Sequence, residues 1–224
     1  MVLQFDPSRE EFEAFLDLQL GLVGLRFGDA LSDVHATYLV IEKQFGRIRN
    51  KYYHIGECPI LRLGHNAQYT IFLYQLSRAL FSSDERLAAD KVYSLLRMVS
   101  GVDLYYEVVL PELWHCDHPL GSVIGRAQFS GQASLSFTQN CNVGNNRGIF
   151  PRVTGNLHMY ANTTLLGDTC VSGNVVLANG TCVIDGGELS NCMVFGRSPD
   201  LVIKPLAAVH FEKLSMFDVL PDPA

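Results

Sequence analysis

The amino-acid sequence predicts an α+β protein: a helical amino-terminal domain over residues 1–113, a parallel β-helix of hexapeptide repeats over 114–204, and a short carboxy-terminal helix with a tail over 205–224. Three observations carry this reading. An apolar residue stands at every sixth position from Val153 through Met159, Leu165, Val171, Leu177 and Val183 to Leu189, a period that neither a 3.6-residue helix nor a two-residue strand generates. Two residues after each of the first four stand Gly155, Ala161, Gly167 and Gly173, and Asn179 and Asp185 continue the series. Small and turn-tolerant residues suit the corners of a triangular coil. Charge also divides the chain. Residues 1–118 hold 16 of the 23 Asp and Glu and 11 of the 17 Lys and Arg, whereas Pro119 to Pro199 holds only Arg126, Arg147, Arg152, Asp168, Asp185, Glu188 and Arg197. Solvated helical faces fit the first part and short stacked strands the second.

Taken in order, Ser8 with Glu11 is a capping-box pattern that opens a first helix carrying Phe12, Phe15, Leu16, Leu18 and Leu20. Asp29 to Phe45 is the second, with Leu31, Val34, Tyr38, Leu39 and Ile41. Tyr69 to Phe81 and Ala88 to Val99 form a third and fourth, separated by Ser83 to Glu85. A connector through Pro111 leads to Trp114, the coils begin near His118 and end near Ile203, and a helix from Ala207 to Phe217 follows. Val143-Gly144-Asn145-Asn146 is a repeat of its own, yet Val143 and Val153 are ten residues apart, which is not a multiple of six. A loop of about four extra residues must therefore protrude around Arg147 to Arg152, and such loops are where binding usually sits.

Composition excludes several function classes. A net charge of −6 argues against a nucleic-acid surface. No run of 18 apolar residues suits a membrane span, and the acidic start with Asp6, Glu10, Glu11 and Glu13 does not read as a secretory signal. A soluble, cytoplasmic chain is expected. The six cysteines match neither a zinc pair nor a secreted disulfide scaffold, so they are expected to be reduced and structural.

His118-Pro119, then Ile124-Gly125-Arg126, then the repeats and Phe195-Gly196-Arg197-Ser198-Pro199 together resemble the serine acetyltransferase branch of the hexapeptide acyltransferases. The nearest likeness is to members that accompany glycan biosynthesis, whose coil begins with a stretch like Asp117-His118-Pro119-Leu120-Gly121-Ser122. The resemblance covers roughly 105–204 well and the helical half in outline. It implies a left-handed parallel β-helix and a homotrimer, or a dimer of trimers. It also implies acetyl-CoA as co-substrate in the groove between neighbouring coils, with no metal. Serine acetyltransferases carry one essential His just after the first Ile-Gly-Arg coil and a second before a proline in the protruding loop. Here those places hold Gly131-Gln132-Ala133 and Phe150-Pro151.

Acyl transfer from a thioester to a hydroxyl needs a general base, an oxyanion donor and a seat for the CoA arm. His118, supported by Asp117, is the first candidate base, provided the chain bends so that the two side chains meet. His158, at the last position of its hexapeptide, is the alternative and would project from the prism into a groove between subunits. His54 and His65, in the irregular stretch before the third helix, rank below them, as do Cys116 as nucleophile and a zinc site at His115, Cys116 and His118. Gln132 can bond an acceptor or thioester oxygen but cannot take a proton, and Arg147 and Phe150 of the loop complete a substrate-binding set. Arg197 and Lys204 near the last coil, with Gly196 and Ser198, are the cofactor-binding candidates, and Arg147 and Arg152 flanking the loop are a second pair that could meet CoA phosphates, since guanidinium and ammonium groups suit them. The leading reading is an acetyl-CoA-dependent O-acetyltransferase acting on a small hydroxyl acceptor, L-serine or a sugar. The alternatives are a catalytically silent trimeric scaffold, favoured by the missing histidines, and an N-acetyltransferase of an amino sugar.

Overall fold

The computed structural model describes residues 2–130 and 132–217, and the chain divides into two compact units that meet between Glu107 and Val108. The first unit runs β1 (Gln4–Asp6), α1 (Arg9–Leu22), a 3-10 turn at Phe27–Ala30, α2 (Leu31–Phe45), β2 (His54–Ile55), β3 (Cys58–Arg62), α3 (Asn66–Ser82) and α4 (Arg86–Ser100). Ser8 caps α1, its side chain accepting the Glu11 amide, which leaves one fewer orphan donor at the helix start. Phe12, Leu16 and Leu20 of α1 are buried, as are Val34, Tyr38 and Ile41 of α2. Leu18 and Leu39, expected on the core faces, instead point to solvent because they lie off the i, i+4 stripes set by the buried residues, and Leu31, on the stripe but at the first position of α2, is also exposed. Edge-to-face contacts of Phe12 with Tyr38 and Phe72 knit α1, α2 and α3 together.

The helical reading of this half missed a small sheet. β1 pairs parallel to β3 in register Gln4↔Ile60, and β2 pairs antiparallel to β3. The strands have two to five residues, one contains Pro59, and β1 finds its partner more than fifty positions away. No local pattern announces such a pairing. His54 and His65 are held by this layer and the helix after it: His54 Nε2 lies 2.8 Å from the Ile48 carbonyl, and His65 Nδ1 accepts the Gln68 amide at the start of α3.

The second unit is the predicted solenoid. Its strands are β4 (Leu113–Cys116), β5 (Val123–Ile124), β6 (Gln128–Phe129), β7 (Ser134–Phe137), β8 (Asn142–Gly144), β9 (Arg152–Val153), β10 (Asn156–Met159), β11 (Thr164–Leu166), β12 (Thr169–Leu177), β13 (Cys182–Ile184), β14 (Gly187–Arg197) and β15 (Asp200–Pro205). Three parallel ladders form its faces. One stacks β4, β7, β10 and the second halves of β12 and β14; another stacks β5, β8, β11 and β13; the third stacks β6, β9 and the first halves of β12 and β14. All seven residues of the six-residue series, Val153 to Leu189, are buried. The coil register is 18 residues, as in Leu165↔Val183 and Val153↔Val171.

Corners follow the small-residue rule. A Cβ on Gly155 would lie 2.2 Å from the Gly173 carbonyl oxygen, so only glycine fits there. At another corner Asn140 donates to Asn162 (3.0 Å) and Asn162 to Asn179 (3.5 Å), a polar ladder in step with the strands. None of the six cysteines is in a disulfide.

The two ends of the solenoid differ from expectation. It begins earlier, at Leu113 rather than near His118, because Trp114 and its neighbours pair with β7. The parallel stacking stops at Arg197, and β15 folds back antiparallel on β14 instead of continuing to Ile203. The register already slips between Ser172 and Val175, where the offset falls to 17 and Val194 rather than Phe195 becomes the buried residue. The last helix, α5 (Ala208–Leu214), is shorter than predicted and buries Phe211. Among the described residues no helix is long and apolar enough to cross a membrane.

Candidate functional site

β4 carries His115 and Cys116 into the solenoid, both buried. Burial, and then the neighbouring Asp117 carboxylate, push the Cys116 thiol well above its ordinary range, so it stays a neutral thiol and a poor nucleophile. The ladder's last bond here is from the Asp117 amide to the Phe137 carbonyl, 2.9 Å. At His118 the backbone enters the left-handed region, φ +47°, before Pro119. That supplies the bend an extended strand lacks: His118 Nε2 comes 3.8 Å from Asp117 Oδ1, with the imidazole 82% exposed. A solvent-open imidazole beside a carboxylate is a geometry that can accept a proton and hold the resulting charge. Among the described residues no three His, Cys, Asp or Glu side chains converge as a metal-binding group.

His158 is placed otherwise than its repeat position suggests. It does not project outward: it is 5% exposed, its Nδ1 is hydrogen-bonded to Ser136 Oγ, and its ring stands edge-on to Tyr160. Burial lowers its pKa to about 4, so the ring is neutral at physiological pH. The neighbouring column is equally dry and polar, with Ser134 donating to Asn156 at 2.7 Å and Asn156 to Asn174 at 2.9 Å. Ser136 was not anticipated as a partner of His158. The pair lies 22 residues apart, 18 for the coil plus the four of the loop, so the signal was present only after the loop had been counted.

The loop is as short as the spacing required. Val143 stacks on Leu165, a 22-residue offset against the 18 from Leu165 to Val183 in the next coil. Asn146 and Ile149 exchange backbone bonds at 2.9 and 3.0 Å, and Arg147 and Gly148 between them have φ +51° and +81°. Two central residues at positive φ make the tight hairpin turn that Asn-Arg-Gly suggests. Asn146 ties the loop to the corner two coils on, across Gly167, by donating to Asp185 Oδ2 at 2.7 Å, and Asp185 also accepts the Asp168 amide at 2.8 Å. Arg147 stands exposed at the tip, Phe150 is half-buried at its base, and Arg152 is drawn to Asp168 at 3.4 Å. Gln132 lies exposed at a corner widened by two residues, since Phe129 stacks on Val153 whereas Leu135 stacks on Leu157. The structure of Gly131 lies outside the described residues.

The cofactor candidates are not brought together. Arg197 sits at the turn end of the last hairpin opposite Asp200, while Lys204 pairs with Met193 four positions further along and lays its ammonium over the Phe195 ring, 5.3 Å from its centre. Four residues of strand separate them by about 13 Å. Ser198 caps the coil: its amide donates to the Cys182 carbonyl, 2.8 Å, and its hydroxyl accepts the Ile184 amide, 2.9 Å. Gly196, at φ +86°, leaves no room for a side chain against the Asp200 carbonyl.

No protein-family model matches the chain, and no curated protein matches its sequence. Solved structures do match its fold. A serine acetyltransferase from Brucella abortus superposes with a TM-score of 0.64 over 90% of this chain and 85% of that one, at 16% identity. The enzyme from Neisseria gonorrhoeae gives 0.58 over 80% and 72%, at 18% identity. A structure of the Neisseria enzyme in complex with serine gives 0.51 over 64% and 58%, at 22% identity. Against several other serine acetyltransferases the chain covers 57–60% of their length. The superpositions with these two enzymes give this chain, helices followed by a hexapeptide-repeat solenoid, the serine acetyltransferase fold.

Proposed function

We propose that this chain is an acetyl-CoA-dependent O-acetyltransferase acting on a small hydroxyl acceptor, L-serine or a sugar hydroxyl, as a homotrimer. The observation that carries the reading is the match of helical unit and solenoid together over 90% of the chain to a serine acetyltransferase. The complex of a related structure with serine supports the acceptor class. In this reading His118, with the Asp117 carboxylate 3.8 Å away, takes the acceptor proton as the acceptor oxygen attacks the thioester carbonyl. The carbonyl oxygen draws on backbone N–H groups as it becomes negative, and the intermediate expels CoA thiolate, which recovers a proton. His158 is the weaker candidate base, since its ring is buried and already bonded to Ser136. Arg147 at the loop tip and Arg197 at the hairpin turn are separate cationic seats for CoA phosphates, with Gln132 and Phe150 nearer the acceptor.

A second reading is a catalytically silent trimeric scaffold. It is favoured by Gln132 and Phe150, which stand where the resembling enzymes place histidines and which cannot accept a proton. One experiment separates the two: the purified chain is titrated calorimetrically with acetyl-CoA and then assayed for thiol release with hydroxyl and amine acceptors. The enzyme reading expects binding that weakens in Arg147→Ala and Arg197→Ala, and thiol release that depends on a hydroxyl acceptor. Release only with amines selects N-acetyl transfer, and absence of both binding and release selects the scaffold.

A further inference from the structure

Among the described residues nothing pairs with the outer edge of the last strand, β15, which pairs only with β14. Val202 and Ile203 on its two faces are 53% and 50% exposed. The phase of the β14–β15 ladder fixes which groups face outward. Leu206 donates its amide to the Asn191 carbonyl at 2.8 Å, one step beyond the Cys192↔Pro205 pair. Bonded and non-bonded pairs alternate in an antiparallel ladder, so Asp200, Val202 and Lys204 turn their backbone groups to β14, whereas Leu201 and Ile203 present theirs to the edge. The Leu201 amide is partly occupied by a local bond to Pro199, 3.1 Å.

Read outward from Val202, this edge is its own complement: Leu201 matches Ile203, Asp200 matches Lys204, and Pro199 matches Pro205. We propose that β15 pairs antiparallel with β15 of a second copy of this chain, about a two-fold axis through Val202. In that register Leu201 and Ile203 of each copy exchange four backbone bonds, and each Asp200 lies across from a Lys204. The prolines, which have no N–H to offer, fall opposite one another where the pairing ends. Two-fold interfaces are self-complementary by construction, and the pattern meets that requirement in hydrogen bonding, charge and apolar contact at once. The counter-reading is that proline and lysine serve here to blunt an edge against association.

The test is disulfide trapping in the full-length chain. Val202 would face its own copy across a non-bonded pair, where Cα atoms approach to about 4.5 Å, within the range a disulfide spans. Under oxidised glutathione V202C should run as a covalent dimer on a non-reducing gel at a level well above wild type, whose six native cysteines give the background. I203C, which faces residue 201 instead, should yield severalfold less. Adding Asp200→Lys to V202C sets lysine against lysine and should suppress the dimer, and adding Lys204→Asp as well should restore it. V202C no more dimeric than wild type, I203C equally dimeric, or trapping indifferent to the charge swaps would each overturn the proposal.

Discussion

His118 holds φ +47°, a conformation that asparagine tolerates far better than most residues, and the same turn brings its ring to Asp117. This allows chemistry to be separated from turn formation. His118→Asn keeps the turn and removes the base, so acetyl-CoA-dependent thiol release should fall by about 10²-fold or more with no loss of melting temperature. A variant with reduced stability and unaltered turnover would instead make His118 a structural corner. His158 makes the opposite kind of prediction. Its pKa is depressed to about 4 in the fold from an ordinary value near 6.5, so the unfolded chain binds the proton more readily. The fold keeps full stability from this group above about pH 6.5 and loses it as pH falls toward 4. The loss amounts to about 3 kcal/mol. Denaturant midpoints measured across pH 4–7 should therefore slope down on acidification in the wild type and flatten in His158→Gln. Asp33, buried on α2, accepts from Ser83 at 2.7 Å and Ser32 at 3.3 Å. Asp33→Ala should cost about 0.5–1.5 kcal/mol in the same measurement, because two exposed hydroxyls exchange their carboxylate acceptor for water.

Elements of the solenoid answer to spacing more than to composition. Gly155 packs against the backbone of the next corner, which cannot yield as a side chain would, so Gly155→Ala should destabilise by about 1–3 kcal/mol or more. Gly144→Ala would meet only the end of Leu166 at 3.5 Å and should be nearly neutral in thermal melts. Excising Arg147 to Phe150 would return the Val143–Leu165 offset from 22 to 18 residues. The variant should keep the circular dichroism of the parent and lose acetyl-CoA binding, and a deletion that still binds would remove the loop from the proposed site. The same spacing logic explains what could be foreseen. The six-residue series gave the interior residues of each coil, and the ten-residue gap gave the loop, since both are arithmetic in the chain itself. The antiparallel β15 could not be read this way: Leu189, Phe195 and Leu201 keep a step of six, yet one residue drops out at the corner near Asn191 and the chain turns back. The β1–β3 pairing was hidden for a different reason, as its energy comes from residues far apart in sequence.

For the whole molecule, the candidate site was legible as a set of residue types and less so as an arrangement. Asp117 and His118 meet because a turn intervenes, a detail adjacent residues hint at. That Arg197 and Lys204 would lie at opposite ends of a hairpin depended on a reversal the repeats do not encode, and the inward fate of His158 depended on Ser136 from a neighbouring coil. Assembly belongs to this scale as well. If the proposed trimer holds, sedimentation should give a mass that is a multiple of three protomers, and charge reversal at Asp200 should leave that factor of three intact. Finally, the 18-residue register makes the solenoid a ruler. Each added or removed coil would shift the terminal hairpin relative to the Arg147 loop by one inter-strand step of about 4.8 Å and leave every corner as it was. The distance between those two cationic points therefore takes only discrete values. A ligand long enough to bridge them would be measured in whole coils, and an inserted 18-residue repeat would change which length fits without changing any residue that touches it.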